Sequence, residues 1–362
     1  MIAPYPYFGG KRSIAPMVWP RLGPDVRNYV EPFLGSAAML LSRPGWSADA
    51  PWIETVNDAH GFIPNFWRAV QQDPDAVAYH ADWPVSECDL HARHLRMVEQ
   101  AKAMDVRLMA DPDWCDPQIA GWWVWGMACW IGSGFCKGDG PWHAEDQPDG
   151  SRQLVHLGDA GQGVHRQLVH LGDAGQGVHR QRVHLGNAGQ GVHRQRVHLG
   201  NAGRGNAGDG EQGLLAWMRA LSARFQRVRV CCGDWERVCG PTPTVKQGLT
   251  AVFLDPPYAE SVGRDMVYTK DDGDVANRVR QWCLDRGGDP RIRIALCGYA
   301  GEHEALAAAG WDAAPWKAKG GYGSQGTETR GRDNAKREVV WFSPHCVPTK
   351  AKQQPGFLDG AV

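Results

Sequence analysis

The chain lacks the marks of a membrane-spanning, secreted or metal-bound protein. Its most apolar stretch, Ile119 to Ile131, is rich in Gly and Trp and shorter than the ~20 residues that a spanning helix needs. The opening MIAPYPYFGGKRS contains no apolar signal-peptide core. Ten cysteines are present, yet none forms a Cys-x-x-Cys pair and no zinc-ligand spacing occurs. These absences point to reduced thiols in a cytoplasmic protein with no metal centre. An excess of either charge is also missing, since the formal net charge is −1. No overall field advertises a nucleic-acid partner, so any such contact must rest on local charge.

What is present is a large apolar fraction, 43% of 362 residues, enough for a sizeable core. That length suits one large domain with an insertion, or two domains. The middle is a tandem repeat: RQLVHLGDAGQGVH fills 152–165 and recurs unchanged at 166–179. Two variants follow at 180–193 and 194–207, so the period is 14 residues over four copies. Each copy is Gly-rich and poor in large apolar groups, so ordering it costs more backbone entropy than its burial returns. A flexible insert is the first expectation. A stacked-turn or hairpin array is the second, and metal binding by the eight histidines between 143 and 198 is the third. From Arg152 to Arg204 there are seven Arg and two Asp, net +5, which suits loose contact with phosphates.

The flanking regions alternate between two periodicities. Strands are expected at the start of YVEPFLGSAAMLL (29–41), in WIETVND (52–58), VRVCCGD (228–234), LTAVFLDPPY, RIRIALCGY (291–299) and REVVWFS (337–343). Helices are expected at 65–71, 86–104, 213–225, 277–286 and 302–309, the second opened by a capping-box-like Ser86 and Asp89. Strands alternating with helices imply an α/β protein with a mostly parallel sheet covered on both faces. In such sheets ligands bind beyond the carboxyl ends of the strands. Asp58, Asp234 and Asp255 all sit at such ends.

Several short motifs carry chemistry. In EPFLGSAA (31–38) a Gly turn between strand and helix lets a ligand approach the backbone near the helix start. Asp58 ends the next strand, where an acid can take both hydroxyls of a ribose, a surface acid being the alternative. In YFGGKRS (7–13) two glycines permit a tight turn from which Lys11 projects. In AVFLDPPYAE (251–260) an apolar strand ends on Asp255-Pro256-Pro257-Tyr258, and the paired prolines can continue neither a ladder nor a helix.

This set and its order resemble the Dam-type DNA adenine-N6 methyltransferases, phage and prophage members above all. FGGK comes first, then VEPFLGSAA, then the acid of ND, then a late DPPY; the likeness covers about 1–135 and 211–345. The resemblance implies a Rossmann-like sheet, S-adenosyl-methionine as cofactor and double-stranded DNA as substrate. By position it implies cofactor contacts at Tyr7, Lys11, Asp58 and Asp255, with Phe33 and Gly35 packing on the methionine part and Asp234 beside the adenine. It gives Asp255, Pro256, Pro257 and Tyr258 the catalytic corner. A carboxylate of Asp255 and the carbonyl of Pro256 would accept the two N–H groups of an exocyclic amine, and Tyr258 would stack on a flipped base. N4-cytosine methylation and a catalytically idle DNA-binding module stay open as rival readings.

The expected organisation is a cofactor-binding part at 1–70, a helical target-recognition insertion at 71–150, the repeats at 151–210, the catalytic part at 211–346 and a disordered tail at 347–362. A monomer or weak dimer is expected. The stretch 121–136, with four tryptophans, reads as a packed helix core, the alternative being that its GSGF end lines the DNA-facing cleft or stacks on a base. The Gly-rich segment from Lys317 to Arg337, net +4, reads as a solvated loop or as a clamp on the DNA backbone.

Overall fold

The computed structural model describes residues 1–5, 7, 11–130, 135–136, 142–146, 152–156, 210–257, 274–316 and 338–348. Tyr258, residues 8–10 of the FGGK turn, the repeats beyond His156, the basic segment 317–337 and the tail from 349 lie outside the described residues. Among the described residues, no helix is long and apolar enough to cross a membrane.

Nine strands are described: β1 (Asn28–Glu31), β2 (Ile53–Asp58), β3 (Trp142–Asp146), β4 (Arg152–His156), β5 (Val228–Cys232), β6 (Thr250–Leu254), β7 (Ile292–Tyr299), β8 (Asp312–Pro315) and β9 (Glu338–Phe342). Seven of them form one sheet in the order β5-β2-β1-β6-β7-β9-β8. From β5 across to β7 every neighbouring pair runs parallel. Strand β9 runs antiparallel to both β7 and β8. The α/β expectation is met. Strand β8 was not foreseen, because Asp-Ala-Ala-Pro is short and ends on a proline, a composition that suits only an edge.

The helices are α1 (Ala15–Leu22), α2 (Ala38–Leu41), α3 (Phe62–Gln72), α4 (Pro74–Ala81), α5 (Glu87–Ala110), α6 (Pro117–Cys129), α7 (Gly210–Phe225), α8 (Val275–Arg286) and α9 (Ala305–Ala308). Ser86 caps α5 by accepting from the Asp89 N–H, as its spacing implies. Asp73 and Asp116 cap α4 and α6 in the same way.

Side chains alternate across the sheet with period two, and both faces are buried. Tyr29, Phe253, Cys297 and Phe342 point into one apolar cluster, shared with α1 and with α3 to α7. Val30, Val252, Leu254, Leu296 and Trp341 point into the other, covered by Val275, Val279 and Cys283 of α8 and Leu306 of α9. The expected boundary at residue 70 falls inside α3, whose buried residues belong to the same cluster as those of α4. Trp123, Trp125 and Trp130 are all buried there, and Trp123 lies edge-on to Tyr5 at 4.6 Å. These tryptophans are therefore core, while residues 131–134, with most of the GSGF end, lie outside the described residues. Phe135, at its far end, is buried against His94 and Trp130.

The first five residues of the first repeat form β4, which pairs antiparallel with β3 just upstream. This hairpin is the described part of the repeat block.

Polar groups also bind the two halves of the chain. Glu54 of β2 receives Arg43 at 2.9 Å and Arg224 of α7 at 2.6 Å, all three buried. Arg43 also lies 3.7 Å from the Trp52 ring centroid. Replacing Glu54 by Gln leaves two buried guanidinium groups without their counter-ion. We expect a loss of about 3–5 kcal/mol in urea denaturation; a loss under ~1 kcal/mol, the size of an exposed pair, would show the triad to be solvated.

Candidate functional site

Chain order and sheet order together locate a crevice. From β1 the chain steps outward through β2 to β5, then returns to β6 on the other side of β1 and continues to β7. The strand order thus reverses between β1 and β6, the kind of point where open α/β sheets bind ligands beyond the strand ends. The residues leaving β1 are Pro32, Phe33, Leu34 and Gly35, and those leaving β6 are Asp255, Pro256 and Pro257.

The Gly35 turn is held on every side. Gly35 has φ +48°, and a Cβ there would meet the Tyr7 ring at 2.5 Å. Its N–H donates to Asp58 Oδ2 at 2.9 Å, and its carbonyl accepts from the Tyr5 hydroxyl at 2.8 Å. Trp67 donates to that same hydroxyl at 3.1 Å. The other Asp58 oxygen accepts from the His60 N–H at 2.9 Å. These two backbone bonds orient the Asp58 carboxylate. The helix expected after the glycine, α2, is a single turn. The turn's own backbone groups, rather than a long helix dipole, therefore shape this end of the crevice.

Asn57 links three strand exits. Its side-chain N–H groups donate to the Pro32 carbonyl at 3.1 Å and the Gly233 carbonyl at 2.9 Å. Its own carbonyl accepts from the Leu34 N–H at 2.9 Å.

On the β5 side, Phe33 stacks on Trp235 with centroids 6.1 Å apart. Asp234 accepts from the Glu236 N–H at 2.8 Å and pairs with Arg278 at 3.0 Å. Arg278 also holds Glu236 at 2.7 Å. Asp234 therefore enters an exposed ion cluster.

On the β6 side, Lys11 is buried and lies 3.3 Å from Asp255 Oδ1. Residues of the first and the last motif in the chain are thus a direct ion pair. Pro256 is buried and Pro257 partly so. Among the expected residues, Tyr7, Gly35 and Asp58 form one cluster and Lys11 and Asp255 a second, while Phe33 stacks on Trp235, the residue that follows Asp234. Among the described residues no group of His, Cys, Asp or Glu is arranged to hold a metal.

No model of a known protein family matches the chain, and no curated protein is significantly similar to it. The site stands on its geometry.

Sequence reasoning passed over Tyr5, Glu31, Asn57 and Trp235. Glu31 and Asn57 lie inside the quoted motifs, next to residues that were chosen; Tyr5 and Trp235 carry no local signal. Glu31 is fully buried, accepts from the Tyr29 hydroxyl at 2.9 Å and from the Leu40 N–H at 3.2 Å. Burial pushes its carboxyl up from 4.5 to about 8, with the charges of Asp255 and Glu54 adding to the rise. The folded protein therefore keeps this proton where the unfolded chain has lost it. The resulting stability is complete below pH 4.5 and is lost as pH rises through about 8. Glu31→Gln has no such proton to lose. Its stability should gain on wild type as pH rises across that window, read from thermal melts; parallel curves would refute the assignment.

Proposed function

We propose that the protein is an S-adenosyl-methionine-dependent DNA methyltransferase acting on the N6 amine of adenine. The observation that carries this reading is the pairing of Lys11 with Asp255 at 3.3 Å. It joins the FGGK lysine to the DPPY acid at the point where the strand order reverses. The third motif, the EPF-Gly turn, leaves the adjacent strand, since Val30 of β1 pairs with Val252 of β6.

The donor set suits the cofactor. Asp58 offers a carboxylate at the end of β2 for ribose hydroxyls. The half-buried Phe33, backed by the buried Trp235, offers a flat apolar surface at the β1 exit for the cofactor. The absence of a side chain at Gly35 keeps the turn close against Tyr7. When bound, S-adenosyl-methionine supplies an electrophilic methyl group.

The remaining work belongs to the chain. The amine of adenine is a poor nucleophile because its lone pair is spread into the ring. Acceptors on both N–H groups favour a pyramidal nitrogen and localise that pair. Asp255 supplies one acceptor as a carboxylate oxygen and Pro256 the other as a backbone carbonyl. The two prolines stiffen the corner, so the acceptors are set before the base arrives. Tyr258 follows at once in sequence and offers its ring to the base.

Asp255→Ala should abolish label transfer from methyl-labelled cofactor to DNA, a loss of at least ~100-fold for one preorganised electrostatic group, with the circular dichroism spectrum unchanged. Near-normal turnover would overturn the role. Mass spectrometry of nucleosides from treated DNA settles the base: N6-methyladenine is expected, and N4-methylcytosine alone would replace adenine by cytosine in this reading.

The repeats are assigned loose contact with the DNA backbone. Deleting 157–207 keeps the β3–β4 hairpin and removes six of the seven block arginines. The deletion should weaken DNA binding and flatten its dependence on salt. An unchanged affinity and slope would leave the repeats as a linker.

A further inference from the structure

Lys11 has a second anionic neighbour that no motif contains. Glu338, the first residue of β9, places Oε2 3.6 Å from Lys11 Nζ. The same ammonium lies 5.4 Å from the centroid of the Trp316 ring. The Trp316 N–H donates to the Glu338 carbonyl at 3.0 Å, which prolongs the β8–β9 ladder and fixes ring and carboxylate together. The three charged side chains are 6%, 18% and 13% exposed for Lys11, Asp255 and Glu338, so none is freely solvated. Burial and the charge of Asp255 push the Glu338 carboxyl up, while Lys11 pulls it back down. One buried cation is thus shared by two carboxylates, one at the exit of β6 and one at the start of β9, so the antiparallel end of the sheet contributes to the site.

Sharing has a consequence for Asp255. A lysine with one carboxylate partner settles fully on it, and an acceptor covered by an ammonium is a poorer acceptor for an amine N–H. We propose that Glu338 is a positioning residue: it divides Lys11 with Asp255 and so keeps the Asp255 carboxylate disposed toward the substrate amine. This rests on the methyltransferase reading above. Glu338 touches neither substrate nor cofactor in this role, because it acts through Lys11.

A double-mutant cycle tests it on the full-length protein, with Glu338→Gln, Lys11→Met and both together. Transfer of labelled methyl groups to DNA is measured alongside thermal denaturation. Glu338→Gln should lower kcat roughly tenfold, the scale of coupling between neighbouring groups, with KM for DNA nearly unchanged. In the Lys11→Met background the same substitution should cost little more, because its intermediary is gone. Glu338→Asp, which keeps the charge, should recover part of the rate. An unchanged kcat for Glu338→Gln, or equal losses with and without Lys11, overturns the role. If Glu338→Gln does not fold, Glu338→Asp with and without Lys11→Met carries the same cycle. Wild-type protein that transfers no methyl group overturns the methyltransferase reading and this role with it. The thermal cycle then still tells whether Lys11 and Glu338 are coupled, so the two failures are distinguishable.

Discussion

The candidate site depends on how one buried amide, Asn57, closes the ends of three strands. Where a parallel ladder stops, carbonyls that would have met the next strand are left without donors, and burial makes that costly. Asn57 stands on the middle strand of β1, β2 and β5 and donates to both sides, to Pro32 and to Gly233. Its backbone carbonyl also takes the Leu34 N–H. The next residue, Asp58, continues the lacing: its side chain takes the Gly35 N–H and its carbonyl the Gly233 N–H. A side chain with two donors does here what a β-hydrogen-bond ladder does within the sheet. An aspartate at position 57 would turn both donors into acceptors facing carbonyls.

The crevice beyond these exits is rich in acid. Glu31, Asp58, Asp255 and Glu338 lie around it with Lys11 among them, and all five are buried or partly buried. Burial, with the charges of Asp255 and Glu54 adding to it, resolves part of this crowding by holding the Glu31 proton up to about pH 8. Lys11 resolves another part by pairing with two carboxylates. In the proposed reading the remaining negative charge suits a sulfonium cofactor, which carries a positive charge until its methyl group leaves.

Much of the architecture was legible because local pattern and tertiary environment agree. The apolar strand TAVFL is buried throughout, and Leu214, Trp217, Leu221 and Phe225 form the buried stripe that their spacing implies. The tryptophans of 121–136 were ambiguous for a physical reason. A ring that fills a core and a ring that stacks on a base have the same local sequence, and only the surrounding contacts separate them. Here Trp125 is fully buried and donates to the Trp83 carbonyl at 2.8 Å, while Arg93 lies 4.4 Å from its ring centroid. Strand β8 and helix α4 were missed because each is short, and their stability comes from neighbours rather than from periodicity.

By itself the sequence determined the alternation of strands and helices, the glycine turn after β1 and the stiff Asp-Pro-Pro corner after β6. Those are local: apolar periodicity and the fixed geometry of Gly and Pro require no partner. Only the tertiary structure decided what these pieces face. The strand order brings the exit of β1 beside that of β6, Lys11 comes to lie against Asp255, and Glu338 arrives from a strand more than three hundred residues away along the chain. Ion pairing and side-chain lacing of this kind depend on distances in space, and sequence separation carries no information about them until the sheet is assembled.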